Sequence, residues 1–362
     1  MPVEFIGIAR TADGSETRTE VGPAVQPDYL YRLARAHEQS GFDRVLVAHS
    51  SSSPDGFTVA DQILNVTNRL GVLLAHRPGF VAPTVAARKF ATIDAFHPGR
   101  IALHVITGGD DGDQARDGDF CDKATRYRRT DEFLDIVKLE WSSEEPFDRD
   151  GDFYRVAGAW SSLRPAGGHL PIYFGGASGD AIRVGGRHAD VYAFWGEPLD
   201  GIRERVAQVR AAAVAAGRTI DRFSVSLRPI AADTETAAWE RAAQILELTQ
   251  EQAPGFAGRR DTSQAEGSRR LLRFAAAGDL HDKRLWTALS RATGAAGNST
   301  ALVGSYEQVA ESLLDYVAVG ASTLLIRGYD PLADALAYAN LIRIVHGEVG
   351  DDIDGYRARA AA

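Results

Sequence analysis

The sequence predicts an α/β fold, a (β/α)8 barrel of the TIM type with a long insertion between strands 7 and 8. Eight short runs rich in apolar and β-branched residues alternate with segments whose apolar residues have helical spacing. Runs such as VLLAH, IALHVIT and TLLIRGY are almost continuously apolar, which is typical of parallel strands buried on both faces. Eight strands that alternate with helices favour a closed barrel over an open sheet.

The predicted strands are, in chain order, Val3–Ala9, Arg44–His49, Arg69–Arg77, Arg100–Thr107, Ile172–Ser178, Val191–Gly196, Phe223–Ala231 and Thr323–Tyr329. The predicted helices are Asp28–Phe42, Arg126–Ser142, Leu199–Gly217, Tyr306–Gly320 and Pro331–Val345. A hairpin fits at Pro146–Val156, and residues Thr249–Gly297 are too many for a bare loop. We therefore predict one domain over residues 1–362, with a partly helical insertion at 249–297 that covers one mouth of the barrel.

Composition excludes several classes of function. Of the 362 residues, 44% are hydrophobic and 25% are charged, which is close to the soluble globular average of about 45–50% and 25%. The net charge of −9 disfavours binding to nucleic acid or anionic lipid, and no apolar run is long enough to span a bilayer. The single cysteine, Cys121, excludes an intramolecular disulfide, and the N-terminus lacks the features of a signal peptide. These observations predict a cytoplasmic protein.

Common cofactor and catalytic motifs are absent from the sequence. No two glycines are separated by a single residue, so the GxGxxG dinucleotide fingerprint is missing, and no glycine precedes a lysine, so there is no Walker P-loop. The zinc motif HExxH and the nucleophile motif GxSxG are missing as well. An enzyme with this sequence that performs redox or phosphoryl chemistry must hold its cofactor in another way.

The clearest candidate site is PIYFGGASGDA (Pro171–Ala181), in which a predicted strand leads through two glycines and a serine into a helix. TIM barrels carry their active sites at such strand ends. Glycines let an anion approach the backbone, and a helix N-terminus favours negative charge, so the turn predicts a phosphate cradle. The alternative is an ordinary turn with a serine N-cap. Arg126 and Tyr127 are placed to reach such a phosphate, unless they belong to a solvated helix face.

Histidines and aromatic residues end other predicted strands. His49, His76 and His104 follow neighbouring strands, so a barrel would bring them to one pocket as candidates for proton transfer. Taken singly, each is more typical of a satisfied polar residue at a strand end than of a catalytic residue. Trp195 and Tyr329 would form the walls of that pocket, or pack as ordinary aromatic residues.

Charged residues lie near the same strand ends. Arg77 and Arg228 would orient an anionic substrate, or else form structural salt bridges. Five aspartates between residues 110 and 119 form an acidic, glycine-rich loop. An EF-hand calcium loop has glycine at its sixth position and glutamate at its twelfth, and this loop has neither. A solvated loop is therefore favoured, and no metal site is predicted.

Several longer segments carry a family resemblance: HRPGFVAPTVAARKFATID (76–94), GRIALHVITGG (99–109), RY (126–127), PIYFGGAS (171–178), FWGEP (194–198) and NSTALVGS (298–305). Through them the chain resembles the bacterial luciferase-like flavin monooxygenases, with the alkanesulfonate monooxygenases as the nearest branch. The resemblance runs from about residue 3 to residue 345. It implies a TIM-type barrel that binds FMN as FMNH2, a separate NAD(P)H:flavin reductase that supplies it, and a homodimer or homotetramer.

The resemblance also implies roles for individual residues. Those implied for the flavin are His104, Thr107, Lys123, Tyr127, Gly175, Gly176, Ala177 and Ser178. Tyr127 and the glycine turn would hold the phosphate, and the segment from His104 to Thr107 would run beside the ring. Those implied for the substrate by position are Ser53, Trp195, Arg228 and Tyr329, and Arg77 and Arg291 are further candidates on that side.

The chain departs from the alkanesulfonate monooxygenases mainly on the substrate side. Ser53 stands where a cysteine is usual, and Ser226-Leu227-Arg228 replaces an RLH segment. Ala12 replaces a histidine after the first strand, and Lys123 replaces another before RY. An arginine expected at Ala295 is missing, unless Arg291 replaces it across a small insertion. The flavin site is thus retained and the sulfonate site altered.

We hypothesise a two-component FMNH2-dependent monooxygenase that oxidises a small anionic or sulfur-containing organic substrate with O2. Arg228 and Arg77 would orient the anion, and His49 or His76 would transfer protons, with Tyr329 as the alternative proton donor. One alternative with the same fold is an F420-dependent oxidoreductase, which needs no oxygen. The other is a flavin-binding protein without catalytic activity.

Overall fold

Eight parallel strands close into a barrel, which confirms the predicted (β/α)8 fold. They are β1 (Glu4–Ile8), β2 (Arg44–Val47), β3 (Gly71–His76), β4 (Ile101–Val105), β7 (Ile172–Gly175), β8 (Val191–Trp195), β9 (Arg222–Ala232) and β13 (Ala321–Ile326). They pair in this order, and β13 closes the ring on β1. The computed structural model describes residues 2–256 and 265–361 of the chain.

Helices pack around the barrel and connect its strands. They are α1 (Pro27–Gln39), α2 (Gly56–Val66), α3 (Pro83–Phe96), α4 (Asp111–Arg116), α5 (Lys123–Ser142), α6 (Gly179–His188), α7 (Leu199–Ala215), α11 (Tyr306–Ala318), α12 (Pro331–Ala337), α13 (Ala339–Val349) and α14 (Ile353–Ala361). The predicted hairpin is formed by β5 (Phe147–Asp150) and β6 (Arg155–Ala159), and a 3-10 turn spans Ala166–Gly168. Among the helices of the described ranges, none has the length and apolar character that a membrane crossing requires.

The connection between β9 and β13 contains more regular structure than the predicted insertion. Its elements are α8 (Glu235–Phe256), α9 (Glu266–Ala277), β10 (Leu280–His281), β11 (Leu285–Trp286), α10 (Ala288–Ala292) and β12 (Ala301–Ser305). Residues 257–264 of the predicted insertion lie outside the described residues. β12 pairs in parallel with the second half of β9, with Ala301 opposite Arg228, and β10 and β11 extend this small sheet. The seventh barrel strand therefore belongs to two sheets.

Two layers of side chains, one charged and one apolar, fill the N-terminal part of the barrel. Alternate residues of each strand face the interior. At the N-terminal end, Glu4 accepts hydrogen bonds from Arg44 at 3.0 Å, Tyr173 at 2.5 Å, Thr323 at 3.0 Å and Arg222 at 3.4 Å. The apolar layer above this cluster consists of Ile6, Leu46, Leu73, Ala102, Tyr173, Val191 and Leu325. This end of the barrel is consequently closed by its own side chains.

The C-terminal end of the barrel is open by comparison. By strand alternation, the inward positions nearest this end are Ile8, Ala48, Ala75, His104, Gly175, Ala193, Ser226 and Arg327. Half of them are alanine or glycine, and of all eight only Ala75 is fully buried. Small side chains at the top of a closed barrel leave room for a ligand, so this mouth is where a site is expected.

Two buried histidines make stability depend on pH, and we expect the free energy of unfolding to fall as the pH drops below about 6.5. Burial lowers the pKa of His37 from 6.5 to about 4 and that of His76 to about 3. The unfolded chain then binds more protons than the folded chain, so this stability is fully present above pH 6.5 and is lost toward the folded pKa values. Each histidine contributes a slope of up to about 1.4 kcal/mol per pH unit.

Urea unfolding between about pH 7.5 and pH 5 measures this slope. The variant His76→Leu removes one titrating group without introducing a charge, and its slope should be lower than that of the wild type by close to one proton. An unchanged slope in that variant would contradict the assignment.

Candidate active site at the barrel mouth

The predicted phosphate turn is a tight connection between β7 and α6. Ser178 caps α6, and its Oγ accepts a hydrogen bond from the backbone N–H of Ala181 at 3.3 Å. Gly176 has φ +152°, and a Cβ atom there would lie 2.5 Å from Cβ of Ala181 and 3.1 Å from the hydroxyl of Tyr127. The serine cap is thus present, and it is compatible with a cradle because the capping hydroxyl keeps its own proton to donate.

The start of α5 lies beside this turn and is not a solvated face. Arg126 and Tyr127 are both buried. Arg126 donates to Oδ1 of Asp111 at 2.8 Å and to the carbonyl of Cys121 at 2.6 Å. Lys123, the first residue of α5, has its pKa lowered by burial and then by the nearby positive charge of Arg269. Of these groups, the Tyr127 hydroxyl lies next to the predicted phosphate cradle.

The end of β4 supplies a neutral imidazole to the barrel interior. Burial lowers the pKa of His104 to about 4, against the opposing effect of a backbone hydrogen bond with Tyr173. Nδ1 of His104 is buried and has no partner in the described part of the chain. A Cβ atom on Gly175 would lie 3.4 Å from Cε1 of His104, so the ring lies against the predicted turn. Thr107, two residues beyond the end of β4, is buried.

The structure corrects the expectation for His76. Since Ala75 faces the barrel interior, strand alternation turns His76 outward, where its ring lies 5.8 Å from that of Phe57 and 5.5 Å from that of Phe133. It therefore lies between barrel and helices, away from the mouth. His49 follows β2 and is half-buried, and burial followed by the positive charge of Arg77 lowers its pKa.

Arg228 is engaged by a carboxylate that the sequence did not suggest. Its two terminal nitrogens contact the two oxygens of Glu16 at 3.2 and 3.1 Å, and Arg327 contacts the same carboxylate at 3.3 Å. Burial alone would raise the pKa of Glu16, but Arg228 and Arg327 hold it well below its ordinary value. The salt-bridge interpretation of Arg228 is correct in this respect. Two guanidinium groups share one carboxylate, so the cluster keeps an excess positive charge.

Aromatic residues border the same cluster. The guanidinium carbon of Arg228 lies 3.6 Å from the ring centroid of Tyr329. Burial raises the pKa of Tyr329 to about 12, and its hydroxyl has no partner among the described residues. Trp195 ends β8 and is half-buried, with its ring 2.9 Å from the position of a Cβ atom on Gly267. The hydroxyl of Tyr329 is therefore protonated and has no hydrogen-bond partner among the described residues, and the ring that carries it lies against the Arg228 cation.

Arg77 forms a buried ion pair with Asp113, which also accepts hydrogen bonds from Ser51. This corrects the expectation of a solvated acidic loop in part, since Asp113 and Asp119 are buried and Asp119 pairs with Arg129, whereas Asp111 and Asp117 are exposed. The loop carboxylates neutralise arginines. No group of potential metal ligands occurs in residues 2–256 and 265–361.

Two of the predicted substrate residues, Ser53 and Arg291, are more exposed than Arg77 and Arg228. Ser53 is exposed and its hydroxyl lies 2.8 Å from that of Ser50. Arg291 is half-exposed and donates to Asp279 at 2.5 Å and to the carbonyl of Ala275 at 2.7 Å. Their roles toward a substrate stay predictions.

The N-terminal part of helix α9 lies at the rim of the mouth, beside the end of β8. Its N-terminal end approaches Trp195 through Gly267, while Cβ of Ala265 lies 3.6 Å from the Cβ position of Gly109. Arg270 binds both oxygens of Glu197, the residue two positions after β8, at 2.7 and 2.6 Å. This pair fastens the insertion to the barrel rim. Sequence spacing could not reveal it, because its two members are far apart in the chain.

The mouth fits a flat cofactor with an anionic tail. Its inward side chains are small, the ring of His104 offers an unpartnered buried nitrogen, and the Gly176 turn would be filled by any Cβ atom. A phosphate suits the helix N-terminus of α6, and an aromatic ring system suits the space above the apolar layer. Tyr127, Ser178 and the amides of the turn would hold the phosphate.

Comparisons with known proteins identify the family and support the fold. The model of the luciferase-like monooxygenase family matches residues 3–323. A riboflavin lyase, solved with modified FMN and its substrate riboflavin, has 21% sequence identity and a TM-score of 0.80 over 97% of this chain and 92% of its own. EDTA monooxygenase from Chelativorans sp. BNC1 has 17% identity and a TM-score of 0.76 over 96% and 94%.

A third similar structure is that of an enzyme that depends on another cofactor. The F420-dependent secondary alcohol dehydrogenase, in complex with an F420-acetone adduct, has 15% identity and a TM-score of 0.70 over 95% of this chain and 99% of its own. At these identities the structural similarity shows the fold alone. The family model, by contrast, covers most of the sequence, and the chain belongs to the luciferase-like monooxygenase family.

Proposed function

We propose that this protein is a two-component flavin monooxygenase that takes up FMNH2 from a separate NAD(P)H:flavin reductase and oxidises a small organic anion with O2. The observation that supports it most is the open barrel mouth, with the Gly176 turn at one side and the arginine cluster at another. Bound FMNH2 would supply the reducing electrons that activate oxygen. We further propose a homodimer or homotetramer located in the cytoplasm.

The substrate side of the proposal depends on the charge of the arginine cluster. Arg228 and Arg327 carry two positive charges and Glu16 carries one negative charge, so a monoanionic substrate would neutralise the cluster. Burial lowers the pKa of Arg327 to about 10, assisted by the charge of Arg228, and it remains a cation at neutral pH. Arg77 contributes less, because Asp113 already neutralises it.

Protons at the mouth would be held by Tyr329 and His49. The raised pKa of Tyr329 keeps its hydroxyl protonated, so it can donate a hydrogen bond to substrate oxygen throughout the neutral range. The lowered pKa of His49 keeps its imidazole neutral, and its buried Nε2 has no partner among the described residues. A neutral imidazole can accept a proton, as a general base must. Trp195 and α9 would exclude water from this space.

The protein with FMN, a flavin reductase and NADH should oxidise at least one member of a panel of sulfonates, carboxylates, sulfones and ketones. Product formation should require O2, and anionic members should be preferred, since a cation in a dry pocket discriminates strongly by charge. Product analysis by mass spectrometry with and without oxygen measures this. Tight FMN binding without turnover of any compound would contradict the enzymatic proposal and favour a non-catalytic flavin-binding protein.

A second candidate is an F420-dependent oxidoreductase, which the similarity to the F420-dependent alcohol dehydrogenase favours. Both cofactors combine a tricyclic ring with a phosphate on the side chain, so the turn alone does not discriminate between them. Titration with reduced FMN and reduced F420 decides the question. Preference for F420, together with turnover in the absence of oxygen, would replace the proposed monooxygenase.

A further inference from the structure

Arg205 is a buried arginine that belongs to none of the sequence motifs described above. It lies in α7, only 4% exposed, on the outer side of the β7–α6 turn. Its Nη2 donates to the carbonyl of Gly176 at 3.0 Å, and its Nη1 donates to the carbonyl of Ala177 at 2.8 Å. One guanidinium thus binds two consecutive carbonyls of the predicted phosphate turn.

The charge of Arg205 has no close counter-ion. The carboxylates nearest to it in charge interactions, Glu197 and Glu204, are bound by Arg270 at 2.6 and 3.2 Å. Within residues 2–256 and 265–361, no carboxylate forms an ion pair with Arg205 itself, and Gln208 is its only side-chain hydrogen-bond partner, at 3.4 Å. Burying an uncompensated charge is unfavourable unless a ligand of opposite charge offsets it.

The two hydrogen bonds also fix the direction of the backbone amides. In a planar trans peptide the carbonyl and the following N–H point to opposite sides. With the carbonyls of Gly176 and Ala177 held by Arg205, the N–H groups of Ala177 and Ser178 point away from it, where an anion can accept their hydrogen bonds. Tyr192 reinforces this arrangement, since its hydroxyl donates to the carbonyl of Gly176 at 3.0 Å.

We propose that Arg205 is a positioning residue for the cofactor phosphate: it orients the amides of the Gly176 turn and supplies a buried positive charge behind them. The inference rests on the proposed function only in requiring a cofactor with a phosphate, which FMN and F420 share. It adds a residue outside the turn to the phosphate site, at the place in α7 where the helix packs on the turn.

The test compares cofactors that differ by the phosphate alone. We expect Arg205→Met to weaken FMN binding by about 30-fold and riboflavin binding by less than about threefold, since charge-assisted hydrogen bonds reach the phosphate only in FMN. Arg205→Lys, which keeps the charge but not the forked geometry, should lie between the two. Flavin fluorescence titration measures the affinities, and urea unfolding confirms that each variant is folded. Arg203→Met, in the same helix and paired with Asp200 at the surface, is the matched control.

The outcomes separate this inference from the proposed function. Equal losses for FMN and riboflavin would assign Arg205 to the fold alone and overturn the inference while leaving a flavin enzyme in place. If the wild type binds F420 and not FMN, the monooxygenase proposal fails, and the same comparison is made between F420 and its phosphate-free deazariboflavin core. A selective loss for F420 would then support the role of Arg205, and an equal loss would overturn it.

Discussion

Substitution of Gly176 by alanine is expected to weaken FMN binding by at least about 100-fold, because two charge-assisted hydrogen bonds from the turn are together equivalent to several kcal/mol. The added Cβ would lie 2.5 Å from Cβ of Ala181, which is held in the first turn of α6, and 3.1 Å from the hydroxyl of Tyr127. The backbone at φ +152° is also one that L-residues rarely adopt. The turn must therefore shift, and its amides lose their alignment with the phosphate.

Gly179→Ala is the matched control for this variant. Gly179 is the first residue of α6, three positions along the same motif, and nothing lies within 4 Å of a Cβ atom there. Its FMN affinity should stay within about threefold of the wild type, as expected for a substitution into open space. Flavin fluorescence quenching measures both variants. Wild-type affinity in Gly176→Ala would show that the cofactor phosphate is not held by this turn.

The second large effect concerns the pair of Arg270 and Glu197, which fastens α9 at the rim of the mouth. Removing one partner of a buried ion pair costs about 3–5 kcal/mol, because the other charge stays buried without compensation. In Arg270→Met we therefore expect the amides of α9 to exchange with solvent about 100- to 4,000-fold faster than in the wild type. Amides of the barrel strands should be unaffected, since the pair does not contribute to the barrel itself. Hydrogen exchange followed by mass spectrometry resolves the two regions.

Arg273→Met is the control for this prediction, since Arg273 lies one turn later in α9, is 67% exposed and approaches Glu266 only at 3.7 Å. It should leave the exchange rates unchanged. Adding Glu197→Gln to Arg270→Met removes the stranded charge and should recover part of the protection. Equal exchange in Arg270→Met and the wild type would mean that α9 is held by its other contacts. An open mouth should also increase oxygen consumption without product, if the monooxygenase proposal is correct.

Sequence reasoning located the barrel well, since the apolar strands and helical spacing are local signals. The predicted strands coincide with the eight barrel strands, and the turn after the fifth strand lies where GGAS placed it. The sequence did not reveal β12, a five-residue strand that pairs with the outer half of β9 on one side and with β11 on the other. Such a pairing depends on where a long strand leaves the barrel, and no local pattern encodes that.

The charge partners were the least predictable part of the site. Arg77 and Arg228 were identified as cations, but their carboxylates come from the short helix α4 (Asp113) and a loop (Glu16), whose sequences show only ordinary polarity. His76 was misplaced because the strand end was predicted without deciding which face each residue takes. A shift of one position moves a side chain from the interior to the helices, and only the pairing register fixes it.

The Glu4 cluster at the base of the barrel has a kinetic consequence. With that end plugged by side chains, a ligand bound in the barrel can enter and leave only through the C-terminal end. Under the proposed function, spent cofactor therefore has to leave by the route that its replacement takes. Exchange of one for the other is expected to proceed in strict succession, and an excess of the spent form should slow every turnover.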